Sequence, residues 1–304
     1  MTPPPVGRGY PLAGLGVISV AVVALGSSAG ALDVPPGEVG LDHVATTSLP
    51  PGPEGDPRVR AWVEAYAPLI DSVTYSESDA VFVMAGEPIH FQDGRMLTGD
   101  ALERSPDCDP IFYDYPLDPL AEPTPVSDDD PSYCTDVLES LWGESEGQIR
   151  AHGQSTTFFG RKLFLNNLAI EALADVERDL ERIARVDAEV AAWVRDLAIT
   201  YSYVDRGIAG SATRSHHAWG MAVDFVPNSY GGRHVYWRWS RVHDREGWHE
   251  IPLERRWSPP QAVIEAFEAH GFLWGGKWAH FDNIHFEYRP EILEYNRLVA
   301  ADAF

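Results

Sequence analysis

The sequence predicts an α+β fold, a small antiparallel sheet with packed helices, and three observations predict it. A long segment of helical periodicity covers about 168–199, a second helix follows Ser258, and two short apolar runs, Met221–Val226 and Ile284–Tyr288, read as strands around that second helix. The order helix, strands, helix, strand departs from the regular alternation that builds a parallel sheet. A count of 23 basic against 46 acidic residues in 304 gives a net charge of −23. That balance argues against nucleic acid as a partner, since non-specific affinity for phosphate backbones comes from Lys and Arg.

Taken in order, the chain opens with Arg8 and an uncharged stretch, Gly9–Leu32, whose apolar heart is Leu12–Leu25. Small residues Ala29 and Ala31 follow in a cleavage-site pattern. Residues 1–32 are therefore expected to be a signal peptide or a single N-terminal membrane anchor, and the body to lie outside the cytoplasm. Residues 33–57, with Pro35, Pro36, Pro50, Pro51, Pro53 and Pro57, read as a linker. Residues 58–150 read as an N-terminal extension or accessory region. In it Trp62, Val63, Tyr66 and Leu69 suggest a short helix, Ala80–Ala85 a strand, Asp93–Gly94 a turn, and 103–136 mostly loop. Cys108 and Cys134 flank a Pro- and Asp-rich segment, and a disulfide between them would suit an exported protein.

Residues 151–304 hold the periodic elements. Phe158–Phe159 and Leu163–Leu165 read as a short apolar strand. Leu173, Val176, Leu180, Ile183, Val190, Trp193 and Leu197 then share one helical face, best read as core packing. Ser258, Pro259 and Pro260 mark a helix start and Gly271 its close after His270, and the chain from Glu291 reads as helical. No phosphate-cradling glycine loop or internal repeat accompanies these elements.

Chemistry concentrates in two places. The segment Ser215-His216-His217-Ala218-Trp219-Gly220-Met221-Ala222-Val223-Asp224 sets imidazoles and a carboxylate around a turn and strand, and Asp282-Asn283-Ile284-His285-Phe286-Glu287 adds another imidazole beside acidic groups. If the two strands pack together, His217, Asp224 and His285 form a two-nitrogen, one-oxygen set of the kind zinc accepts while keeping a position for water. Ala222 and Asp224 share a strand face, and a bend near Gly220 is needed to bring His217 back to Asp224. Asp282, three residues before His285, is the candidate base, its alternative being an acceptor that orients His285. Arg206 is the candidate contact for a substrate carboxylate or a charged carbonyl oxygen, its alternative an ion pair in the site wall. Glu287 shares the His285 face and reads as a supporting group, while His216 points away. His234, His243 and His249 lack a ligand pattern.

These two blocks, Ser215-x-His217-x-x-Gly220-x-Ala222-x-Asp224 and Asp282-x-x-His285-Phe286-Glu287, resemble those of the bacterial zinc D-alanyl-D-alanine carboxypeptidase and L-alanyl-D-glutamate endopeptidase (VanY-like) family. The resemblance covers roughly 152–290 and implies a zinc DD-peptidase/hedgehog-like fold. It also implies Zn2+ held by His217, Asp224 and His285, Asp282 as catalytic base, Arg206 at the substrate, and peptidoglycan stem peptides as partners. Phe158-Phe159-Gly160-Arg161 and Trp274-Gly275-Gly276-Lys277-Trp278 are similar to the endopeptidase side of the family. The expectation is therefore L-alanyl-D-glutamate cleavage, with D-alanyl-D-alanine carboxypeptidase activity as the alternative. A noncatalytic, zinc-stabilised wall-binding module is the reading from another class. The long insert Asn228–Trp257 departs from a compact pattern. It carries Trp237, Trp239, Trp248, Trp257 and six arginines, and reads either as ordinary loop packing or as a lid or saccharide-facing wall.

Overall fold

The computed structural model describes residues 52–104, 109–126, 134–205 and 214–302, all within one compact unit, Ser48–Phe304. The expected leader, most of the linker, Cys108 and Arg206 lie outside the described residues. No helix among the described residues is long and apolar enough to cross a membrane.

Helix α1 (Pro57–Tyr66) starts where Asp56 accepts the Arg58 N–H at 2.8 Å and Pro57 occupies a first-turn position that needs no donor. It buries Val59, Trp62 and Tyr66, large side chains whose removal from water is worth about 1.5–3 kcal/mol each. Strands β1 (Ile70–Tyr75), β2 (Ala80–Met84), β3 (Glu87–Gln92) and β4 (Arg95–Thr98) follow as an antiparallel meander. The β3–β4 turn holds Asp93 and Gly94 at φ 50° and 79°, as that sequence pair leads one to expect. Three short helices close the front portion: α2 (Gly99–Arg104), α3 (Asp136–Trp142) and α4 (Glu146–Ala151), the last opened by a capping box between Ser145 and Gln148. Cys134 is buried beside Leu97 and Ala101, and no cysteine is free among the described residues.

The strand expected around 158–165 is a hairpin, β5 (Gly153–Phe158) and β6 (Arg161–Asn166), closed by Phe159 and Gly160 at φ 45° and 75°. The single long helix expected over 168–199 is three elements: α5 (Asn167–Ile183), α6 (Ala188–Asp196) and β7 (Leu197–Tyr201). The break has a local cause. Asp187 accepts the N–H groups of Glu189 and Val190 at 2.8 and 3.1 Å and so starts a new helix. Beyond Asp196 the run Leu197-Ala198-Ile199-Thr200-Tyr201 pairs instead as an edge strand. The apolar stripe survives the break, with Leu173, Val176, Leu180, Val190, Trp193 and Leu197 all in one core.

The central sheet continues with β8 (Ala222–Pro227). After the insert, which contains α7 (Trp237–His243), come α8 (Gln261–Ala269), β9 (Phe272–Trp274), β10 (His285–Tyr288) and α9 (Pro290–Asp302). Its strand order is β7-β8-β10-β9, with every neighbour antiparallel. Strand alternation divides its side chains. Val223, Phe225, Phe272 and Phe286 join the core under α5, α6 and α8, which leaves Ala222, Asp224, His285 and Glu287 for the opposite face. The front portion shares a second core with Trp219, Met221, Leu273, Ile292 and Leu293. Residues before 150 are thereby packed on the part of the chain that carries the candidate site.

Candidate metal centre

Register alone brings the two sequence blocks together. In the β8–β10 pair, Asp224 stands opposite His285, Val223 opposite Phe286 and Ala222 opposite Glu287. The methyl group of Ala222 leaves room for the Glu287 carboxylate across the ladder. His217 arrives from the short 3-10 turn His216–Trp219, which ends at Gly220 in the left-handed region, φ 68°. A Cβ there would stand 2.9 Å from the Asn166 nitrogen. Gly220→Ala is therefore expected to cost at least about 1–2 kcal/mol from the left-handed backbone alone, read as a lowered denaturation midpoint. An unchanged midpoint would contradict this account of the bend.

One donor atom each from His217, Asp224 and His285 lies within 4.8 Å of the others, and all three residues are buried. His217 Nε2 is 3.1 Å from Asp224 Oδ1 and 3.2 Å from His285 Nδ1, and His285 Nδ1 is 2.9 Å from the same Oδ1. The far nitrogen of each ring is occupied. His217 Nδ1–H donates to the Ser202 carbonyl at 2.5 Å, and His285 Nε2 meets Glu287 Oε2 at 3.1 Å. Both bonds orient the rings so that His217 Nε2 and His285 Nδ1 face Asp224, the arrangement that supports metal-bound histidines. The donor set and its spacing fit a metal ion.

Without a metal, the groups of the cluster are coupled electrostatically. Burial raises the Asp224 carboxyl, but hydrogen bonds and positive charge from His217 and His285 outweigh it and hold it well below the usual carboxylate range. Burial lowers His285, yet Asp224 and Glu287 prevail and push it up to about 10. His216, by contrast, is lowered to about 4, burial outweighing Glu287, and stays neutral.

A buried relay stands behind the trio. Glu287 also receives His216 Nδ1 and Arg289 Nη1, each at 3.4 Å, Arg289 pairs with Glu291, and the Tyr66 hydroxyl donates to Glu291 at 2.8 Å. Arg289 Nη2 donates to the Ile111 carbonyl at 3.2 Å. Tyr66 and Ile111 belong to the front portion, so that portion completes the support. Glu287→Gln should weaken metal affinity by about 10–100-fold, measured by competition with a chromogenic chelator. A wild-type affinity would show that Glu287 does not hold His285.

The remaining candidates are distributed as follows. Asp282 is half-buried in the turn before β10, its N–H donating to the Gly275 carbonyl at 3.0 Å and its carbonyl accepting the His285 N–H at 3.2 Å. Trp278 lies against His285, ring centroids 5.2 Å apart. Lys277 is buried, its Nζ on Glu268 at 2.8 Å and on the Pro116 and Leu117 carbonyls. Phe158 is in the core, and Arg161 donates to the carbonyls of Leu197 and Phe159. His234 is engaged with Ser240. Tyr230 was not among the sequence candidates. Its phenol is raised by burial and then by the charges of both Asp282 and Asp224, which brings it under the influence of the candidate base and a candidate ligand together. An isolated tyrosine in an insert carries no sequence signal that would find it.

Residues 209–288 match the family model described as D-alanyl-D-alanine carboxypeptidase. The matched stretch contains all three clustered donors and Asp282, so the suspected VanY-like resemblance is shown there and supports a peptidase with a metal-holding cluster. No curated protein and no solved structure matches the chain.

Proposed function

We propose that the protein is an exported zinc metallopeptidase that hydrolyses an amide bond in peptidoglycan stem peptides, the D-alanyl-D-alanine carboxypeptidase match being its premise. The single observation that carries the reading is the convergence of one donor atom each from His217, Asp224 and His285. Two imidazole nitrogens and one carboxylate oxygen form a donor set suited to zinc with a position left for water. Zinc, when bound, polarises a carbonyl and makes water a nucleophile near neutral pH.

The chain's own groups do the rest. Asp282 takes the proton of the attacking water and returns it to the departing amine. Glu287 and the Ser202 carbonyl keep the two rings oriented. Arg206, outside the described residues, contacts the substrate carboxylate or the developing charge on the carbonyl oxygen. The fold in this reading is the zinc DD-peptidase/hedgehog-like one, and the leader exports the body to the wall.

L-alanyl-D-glutamate cleavage is the first reading of the bond, from the sequence likeness around 158–161 and 274–278. The description of the matching family favours D-alanyl-D-alanine carboxypeptidase as the second. Incubation of zinc-loaded protein with defined muropeptides, followed by mass spectrometry, separates them: a cut after the first alanine supports the former, and loss of only the terminal alanine the latter. Failure to hydrolyse any stem-peptide bond would overturn the proposal.

A further inference from the structure

Six of the chain's 23 basic residues fall in the insert 228–257, and three of them share one surface. Arg238, Arg241 and Arg245 line an open groove of about 370 Å³ with Trp237 and Val242. Arg238 and Arg241 lie 5.5 and 6.0 Å from the Trp237 ring, contacts that hold guanidinium groups in place without neutralising them. None of the three arginines is in an ion pair among the described residues. Beside them Trp239 is 55% and Val242 79% exposed. A protein of net charge −23 repels polyanions as a whole, so a cluster of guanidiniums without an ion pair among the described residues is a local feature that can hold one.

The groove is joined to the candidate site. Tyr236, the residue before α7, bridges Asp282 in antiparallel fashion. Trp237 N–H donates to the Phe281 carbonyl and Asn283 N–H to the Val235 carbonyl, both at 2.9 Å, and the Trp237 ring is 4.5 Å from His280. The insert that bears the arginines is thus stitched to the turn that bears the candidate base.

We propose that the α7 face is an accessory docking surface for intact peptidoglycan. Arg238, Arg241 and Arg245 take stem-peptide carboxylates flanking the cut, and Trp239 stacks on a sugar ring of the attached glycan. Guanidinium forks match carboxylates in pairs of hydrogen bonds, and an exposed indole offers the flat apolar face a pyranose presents. This rests on the peptidase reading for its substrate, and continuity with Asp282 is what favours a peptidoglycan strand over another wall polyanion.

The test uses the full chain carrying Asp282→Asn, so that the wall is not consumed, and sacculi stripped of phosphodiester polymers by acid. Cosedimentation is measured against NaCl concentration. The triple change Arg238→Gln, Arg241→Gln and Arg245→Gln should weaken binding by at least about tenfold, the combined effect of several surface charge contacts, and flatten its salt dependence. Trp239→Ala should weaken it without changing the salt slope. Circular dichroism checks that these exposed changes leave the fold intact. Failure of the parent to sediment, or equal binding by parent and triple variant, overturns the proposal. Loss confined to unstripped walls also overturns it, by assigning the face to a phosphodiester polymer. Hydrolysis of a soluble stem peptide by the unmodified protein is scored separately. Its absence would defeat the peptidase reading, while arginine-dependent sedimentation would still establish the docking surface.

Discussion

Asp282→Asn is expected to lower turnover of a soluble stem peptide by about 10²–10⁴-fold, the usual contribution of a positioned general acid–base, while metal content stays at the parent level. The backbone geometry explains why the two effects separate. Asp282 is held by its own main chain, through bonds to the Gly275 carbonyl and the His285 N–H, and an Asn side chain of the same shape leaves those bonds intact. His217, Asp224 and His285 form their cluster without it. The amide, however, cannot accept a proton from water. Kinetics and elemental analysis on the same preparation are the measurement. Metal loss equal to that of a ligand variant would move Asp282 into the ligand set, and full activity would remove it from the chemistry.

The site was legible in the sequence to the extent that it depends on local patterns. Alternation in β8 places Ala222 and Asp224 on one face, a left-handed Gly220 turns His217 back toward them, and the pattern of β10 puts His285 with Glu287. What could not be read was register. Asp224 and His285 are paired across a ladder whose strands are separated by the insert, α8 and β9, and nothing local to either strand specifies that pairing. The break at Asp187 was hidden for a related reason. The apolar stripe runs through α5, α6 and β7 with little interruption because all three elements cover the same core, so periodicity described the buried face and not the chain that supplies it.

The role of the front portion was the least visible. Its Pro- and Asp-rich loop sends Ile111, Phe112 and Tyr115 into the shared core; Tyr115 donates to Glu268 at 2.6 Å and Thr124 to the Lys277 carbonyl at 2.8 Å. Lys277 in turn holds the Pro116 and Leu117 carbonyls. A buried lysine is tolerated because Glu268 pairs with it and neutral acceptors take its remaining protons. The same logic applies to Arg289 between Glu287 and Glu291. In both cases polar groups from the front portion satisfy charges of the site-bearing part, and such long-range satisfaction leaves no periodic trace in the sequence.

Removal of a ligand has the second large consequence. His217→Ala is expected to reduce metal affinity by more than about 100-fold, beyond what loss of a supporting group costs, and to leave the protein metal-free after dialysis. Affinity in the parent should also depend on pH, in a direction the charges dictate. Without metal, Asp224 and Glu287 keep His285 protonated up to about 10, whereas a metal needs its neutral Nδ1, so binding releases that proton. Affinity should therefore rise by about tenfold per pH unit through the neutral and mildly alkaline range and level off above the His285 pKa. Chelator competition at a series of pH values, with the released proton counted by calorimetry in buffers of different ionisation enthalpy, checks both statements. A pH-independent affinity would mean that His285 is already neutral in the free site.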